Sequence, residues 1–166
     1  MIRSLNNYEA DSVVLVVDAT ASMFRSIAQV LNWANSNNMK DKVKGFVFFN
    51  DGDSTLNSLK KIGNTGGVYY SNNFDGVQHA LVSAMKNGTG GDRAENDLEA
   101  VLKARAKFGV GNYVLVADNL CNPRDLVLKN EIDFPLNILI CNGIEAKQYY
   151  VDLSKSTGGK IINKAD

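Results

Sequence analysis

The chain has 166 residues, enough for one domain with its own core. Its 18 Lys and Arg balance its 18 Asp and Glu, and a chain without net charge is not built to neutralise nucleic-acid phosphates or an anionic membrane surface. No apolar run approaches the roughly 20 residues of a membrane-spanning helix, and the stretch MIRSLNNYEADS has no signal-like apolar segment. Two cysteines, Cys121 and Cys141, make no disulfide framework and read as reduced thiols. The expectation is a single cytoplasmic domain over 1–166, with a core of about 12–162 between short polar tails.

In chain order, Val13–Val17 is the first strand signal. It is short, β-branched and without polar alternation, which suits a strand covered on both faces. Phe24, Ile27, Leu31 and Ala34 then recur at helical spacing. Val43–Phe49 predicts a second strand and Gly67–Tyr70 a short edge strand. No helical pattern separates these two, so the edge is expected to run antiparallel. Phe74, Val77, Leu81 and Ala84 mark a second helix, and Ala94, Leu98, Val101 and Leu102 a third. Tyr113–Ala117 is the next strand, and a short helix is expected after Pro123, whose fixed φ suits a first turn. Leu136–Ile140, a helix bearing Ala146, Tyr149, Tyr150 and Leu153, and an edge strand at Lys160–Ile162 close the chain. Strands alternating with helices predict an α/β fold: a three-layer, Rossmann-like domain with a central, mostly parallel six-stranded sheet, one antiparallel edge strand and helices on both faces. Such sheets bind ligands at the carboxyl ends of their strands, near the switch in strand order.

The polar residues at those ends carry the chemistry. The first strand runs into Asp18-Ala19-Thr20-Ala21-Ser22-Met23, and in an extended segment alternate side chains share a side, so one carboxylate and two hydroxyls can converge. A plainer reading has Thr20 or Ser22 capping the following helix. The Tyr113–Ala117 strand ends in Asp118 and Asn119, which also suit a simple Asx-turn. Between two helical patterns lies Asn87-Gly88-Thr89-Gly90-Gly91-Asp92-Arg93-Ala94-Glu95-Asn96, where Asp92 and Glu95 have the spacing of a capping box. The loop has no phosphate-binding G-x-x-x-x-G-K-[ST], and its carboxylates repel phosphate. Asp18, Asp92 and Asp118 with hydroxyls from Thr20, Ser22 and Thr89 form a hard oxygen donor set, suited to Mg²⁺, Mn²⁺ or Ca²⁺ rather than zinc. The single histidine, His79, falls within a helical pattern with no second His or Cys beside it, which argues against a zinc site or a Ser-His-Asp triad.

VVLVVDATASM, FVFFNDGD, GGDRAEN, VLVADN and DLSKSTGGKII together resemble the von Willebrand factor A domain, over about Ser12 to Ile162. The resemblance implies a metal ion-dependent adhesion site with Asp18, Thr20 and Ser22 nearest the metal and Asp118 acting through water. It also implies that Asp92 stands where the family usually has threonine, with Thr89 as the rival ligand, and that Asp51 is an acidic position near the site. Ala21 and Ala94 replace a glycine and a proline common in the family. Three carboxylates around one divalent ion leave a net negative charge, so the metal is expected to order loops more than to grip an acidic partner.

The implied function is a non-catalytic, monomeric protein-binding module that holds Mg²⁺ (or Mn²⁺ or Ca²⁺) and meets its protein partner through loops bearing Met23, Arg25, Arg93 and Asn119. The implied partners include neither nucleic acid nor membrane. Two alternatives stand beside it: a Mg²⁺-dependent phosphohydrolase on a Rossmann-like sheet, and a scaffold of the same fold that binds no metal. Against the phosphohydrolase, the first strand lacks a second aspartate at position 20, and Lys42 and Lys44 precede their strand, at the wrong end of the sheet to neutralise a phosphoryl group.

Overall fold

Each apolar run read as a strand is one. The computed structural model describes residues 5, 8, 10–36, 39–88, 94–141 and 145–162. The strands are β1 (Val13–Asp18), β2 (Val43–Phe49), β3 (Val68–Ser71), β4 (Asn112–Ala117), β5 (Leu136–Ile140) and β6 (Ile161–Ile162). They form one sheet in the order β3-β2-β1-β4-β5-β6. All neighbours are parallel except β3, which runs antiparallel to β2 with Phe46 opposite Ser71. Only a 3-10 turn at Asn57–Leu59 interrupts the β2–β3 connection, so no helix carries the chain back for a parallel return.

Among the described residues, four α-helices join the strands: α1 (Phe24–Ala34), α2 (Val77–Asn87), α3 (Asp97–Phe108) and α4 (Gln148–Ser156). All six residues of β1 are buried, which is why its sequence shows no polar alternation. Val13, Leu15 and Val17 pack with Ile27, Val30 and Trp33 of α1 and with Val77, Ala80 and Ala84 of α2. Val14 and Val16 point the other way, into a second cluster with Leu98, Val101 and Ala104 of α3 and Tyr150 and Leu153 of α4. Each such apolar side chain contributes roughly 1.5–3 kcal/mol by leaving water. No described helix is long and apolar enough to cross a membrane.

Three local readings change. The first eleven residues are not simply a polar tail, because Leu5 is fully buried and Tyr8 packs into the first cluster against Trp33. Within α1 the buried face is Ile27, Val30, Trp33 and Ala34, while Phe24 is 65% exposed. The segment beyond Pro123 winds as a 3-10 helix at Leu126–Glu131. On α3, Lys103 pairs with Glu99 at 2.6 Å, and Arg105 lies over the rings of Phe134 and Tyr113.

Candidate metal centre

The strand order switches between β1 and β4: from β1 the chain builds β2 and β3 on one side, then returns to add β4, β5 and β6 on the other. Val17 is level with Val116 in the β1–β4 pair. Asp18 therefore lies one residue, and Asp118 two residues, past that level, at the carboxyl rim where open α/β sheets bind ligands.

Each aspartate ties one oxygen to its own loop. The Thr20 N–H donates to Asp18 Oδ1 at 2.7 Å, and the Leu120 N–H to Asp118 Oδ1 at 2.9 Å. The expected Asx-turn at Asp118 is thus present and leaves its second oxygen free for other use. Ser22 Oγ donates to Asp118 Oδ2 at 2.5 Å, and Thr20 Oγ1 lies 3.2 Å from Ser22 Oγ. Asp18 Oδ2 has no hydrogen-bond partner, although Asp18 is only 1% exposed. Neither hydroxyl caps a helix: Thr20, before the 3-10 turn Ala21–Met23, and Met23, before α1, make no side-chain cap bonds. The structure so brings Asp18, Thr20, Ser22 and Asp118 together.

The rim is dehydrated and rich in acid. Burial pushes the Asp18 carboxyl up to about 7; the Thr20 hydrogen bonds oppose the rise and the Asp118 charge adds to it. Glu95, just before α3, is pushed up to about 10 by burial and then by the charges of Asp18, Asp97, Asp51 and Asp118. Burial raises Asp97 well above the ordinary carboxylate range, against the hydrogen bond that Tyr150 Oη donates to it at 2.7 Å. Burial thus favours the protonated forms of these groups, and a cation at the rim would favour the charged ones. Glu95 had shown only as the partner in a capping box. That box does not cap α3, whose cap residue is Asn96. The helix amide of Glu99 instead donates to Asp125 Oδ2 at 2.7 Å, from a distant part of the chain. Nothing in the sequence marks that pairing.

The other expected residues divide. Asp51 is buried, but both its oxygens are engaged: Lys60 donates to Oδ2, and Arg124 Nη2 donates to Oδ1 at 2.6 Å. Arg25 is exposed, as a partner-contacting residue must be. Met23 is a correction: it is 1% exposed and belongs to the core. Asn119 is a second correction. It is buried, its Nδ2 donates to the Glu145 carbonyl at 2.8 Å, and its Oδ1 accepts the Lys147 N–H at 3.0 Å, so it fastens the approach to α4 instead of facing a partner. Asp92, Thr89 and Arg93 lie outside the described residues. His79 is exposed on α2. Both cysteines are free thiols, and burial pushes Cys141 up to about 12, which keeps it protonated and unreactive.

The residues present fit a hard divalent cation in kind. Two carboxylates and two hydroxyls face one place, and an unpartnered buried carboxylate oxygen is a donor awaiting a proton or a cation. Among the described residues, no three Asp, Glu, His or Cys side chains form a group that could hold a metal by themselves. Mg²⁺ needs no such cage, since it is commonly held by one or two carboxylates and keeps several waters. Comparison with protein-family models, with curated proteins and with solved structures gave no match.

Proposed function

We propose that the chain is a non-catalytic protein-binding module of the von Willebrand factor A type, with a three-layer arrangement around the sheet and a Mg²⁺ site at the β1–β4 rim. Asp18, Thr20, Ser22 and Asp118 hold the ion, and Asp92 or Thr89 completes the set. The observation that carries this reading is the orientation of the two hydroxyls. Thr20 and Ser22 cap no helix but form a chain toward Asp118, whose neighbour Asp18 keeps an orphaned oxygen. A bound ion supplies a positive anchor that draws the rim loops together. Among the described residues, exposed side chains adjoining the donors in sequence include Arg25, Phe24 and Leu120, a mixed apolar and cationic surface for a protein partner.

The absence of catalysis in this reading rests on the cations. Lys60 and Arg124 both pair with Asp51, and the Lys60 side chain is 1% exposed. A phosphoryl-transfer site needs such charge turned toward the substrate. The test is titration calorimetry with Mg²⁺ on the native chain and on Asp18→Asn, alongside an aryl-phosphate turnover assay. One saturable Mg²⁺ site, lost in Asp18→Asn, is the expected result, with turnover at background in both. Equal Mg²⁺ binding by the two proteins would contradict the site. Metal-dependent turnover that disappears in Asp18→Asn would replace this reading with the phosphohydrolase.

A further inference from the structure

Arg124 makes more contacts to the rim than any expectation from the sequence assigned it. Its Nη2 donates to Asp51 Oδ1 at 2.6 Å and to the Ala94 carbonyl at 2.7 Å, and its Nε donates to the same carbonyl at 3.2 Å. Its own backbone N–H donates to the Glu95 carbonyl at 2.9 Å. The next residue, Asp125, is fully buried and accepts the Glu99 amide. Residues 124 and 125 therefore grip the approach to α3 at three successive places: the carbonyls of Ala94 and Glu95 and the first turn of the helix. The same guanidinium fastens that approach to Asp51, directly beyond β2.

Three loops meet through this one side chain. Asp51 belongs to the loop after β2, Ala94 and Glu95 to the segment before α3, and Arg124 to the loop that leaves Asp118 at the end of β4. Asp51 is held in turn by Lys60, so the guanidinium docks on an anchored carboxylate. A planar fork that serves a carboxylate and a carbonyl at once has no equivalent in lysine, whose ammonium is a point charge.

We infer that Arg124 is a positioning residue of the candidate metal site: by clamping Ala94 and Glu95 against Asp51 it sets how closely the loop before α3 approaches Asp18 and Asp118. This inference rests on the metal-site reading. Two effects compete when the residue is changed. Losing its positive charge alone strengthens binding of a nearby cation, whereas losing the clamp weakens it. Two variants separate them. Arg124→Lys keeps the charge and loses the fork, and Arg124→Gln loses both.

The experiment is Mg²⁺ calorimetry on the full chain, native and variant, with a melting curve for each and hydrogen exchange of the peptides covering 94–99. A variant that has only lost global stability, yet is folded at the assay temperature, binds Mg²⁺ with the native constant. The expected result is about tenfold weaker Mg²⁺ binding in both variants, with faster exchange at 94–99 and unchanged exchange in β1 and β4. Native or tighter binding by folded Arg124→Lys or Arg124→Gln overturns the inference, and if one variant fails to fold the other decides. Should the native chain bind no Mg²⁺, the metal-site reading fails by itself. Exchange then judges the clamp: unchanged protection at 94–99 in Arg124→Lys overturns it as well, and faster exchange confines the role of Arg124 to loop order.

Discussion

Asp18 sits where burial and hydrogen bonding pull in opposite directions. Its Oδ1 accepts the Thr20 amide, a bond that favours the charged form, while its Oδ2 is sealed from water without a partner. Burial wins, and the carboxyl rises to about 7; Asp125, also buried, rises to about 6. The unfolded chain releases these protons near pH ~4, so the folded state holds them more tightly. The stability this gives is complete below about pH 4 and is lost as pH rises through about 6 for Asp125 and about 7 for Asp18. Glu99 is the opposite case: burial pushes it up, but Lys103 and the amides of Thr65 and Gly66 outweigh that and lower it, so its contribution is lost only below this window. Metal-free protein is expected to be less stable at pH 8 than at pH 5 by a few kcal/mol, or roughly 5–10 °C in melting temperature. Mg²⁺ should recover most of that loss at pH 8 and little at pH 5, because protons hold the site there. Asp18→Asn should make the pH profile shallower without flattening it, because Glu95, pushed up to about 10, still loses stability across this range, and should raise the metal-free melting temperature at pH 8. Thermal melts across this range check the point, and a melting temperature that climbs from pH 5 to pH 8 without metal would refute it.

The elements show how a short apolar strand is ended and the chain turned. At the last turn Gly158 has φ +75°, and a Cβ on Gly159 would lie 1.9 Å from the Leu136 carbonyl oxygen. The backbone of β5 leaves no space for a side chain there, and backbone cannot rotate aside as a side chain can. Gly159→Ala is expected to cost about 2–4 kcal/mol, by pushing β6 off β5. Gly158→Ala, strained in φ but with open space around it, should cost about 1–2 kcal/mol. Urea unfolding of both variants checks the order, and equal losses would contradict the close approach. The strands could be read because a buried parallel strand is an unbroken β-branched run. Helix faces were harder. Phe24 has the right spacing for burial, but the buried face of α1 is Ile27, Val30, Trp33 and Ala34, and Phe24 faces outward. The candidate site was legible where its parts are near in sequence, as in Asp18, Thr20 and Ser22. It was illegible where partners are remote: Ser22 reaches Asp118 across 96 positions, and Arg124 reaches Asp51 across 73. Met23 and Asn119 sit among loop residues by sequence, and only packing reveals that one fills the core and the other ties down a distant backbone.

At the scale of the molecule, Leu5 and Tyr8 join the first core cluster from ahead of β1. Tyr8 is 6% exposed, its ring is tilted against Trp33, and Lys160 lies 5.7 Å from its centroid. The Asn137 amide donates to Tyr8 Oη at 3.1 Å, and Asn137 Oδ1 accepts the Lys160 amide at 3.3 Å. One tyrosine so joins the start of the chain to α1, to β5 and to the residue before β6. Leu5, fully buried, enters the same cluster. An edge strand of two residues has few hydrogen bonds of its own, and the cover from Tyr8 supplies apolar contact that β6 lacks. Tyr8→Ala is expected to cost about 3–5 kcal/mol, the range for emptying a buried aromatic position, and Leu5→Ala about 2–5 kcal/mol. Tyr8→Phe keeps the ring and loses one neutral hydrogen bond, so its cost should stay near 1 kcal/mol. The rim that carries Asp18 and Asp118 is built by β1 and β4, away from this contact, so Mg²⁺ binding by the folded fraction should be unchanged in all three variants. Chemical denaturation paired with Mg²⁺ calorimetry gives both answers. If Tyr8→Ala melted like the native chain, the segment before β1 would be a tail after all; if it altered Mg²⁺ affinity while folded, the two ends of the molecule would be coupled through the sheet.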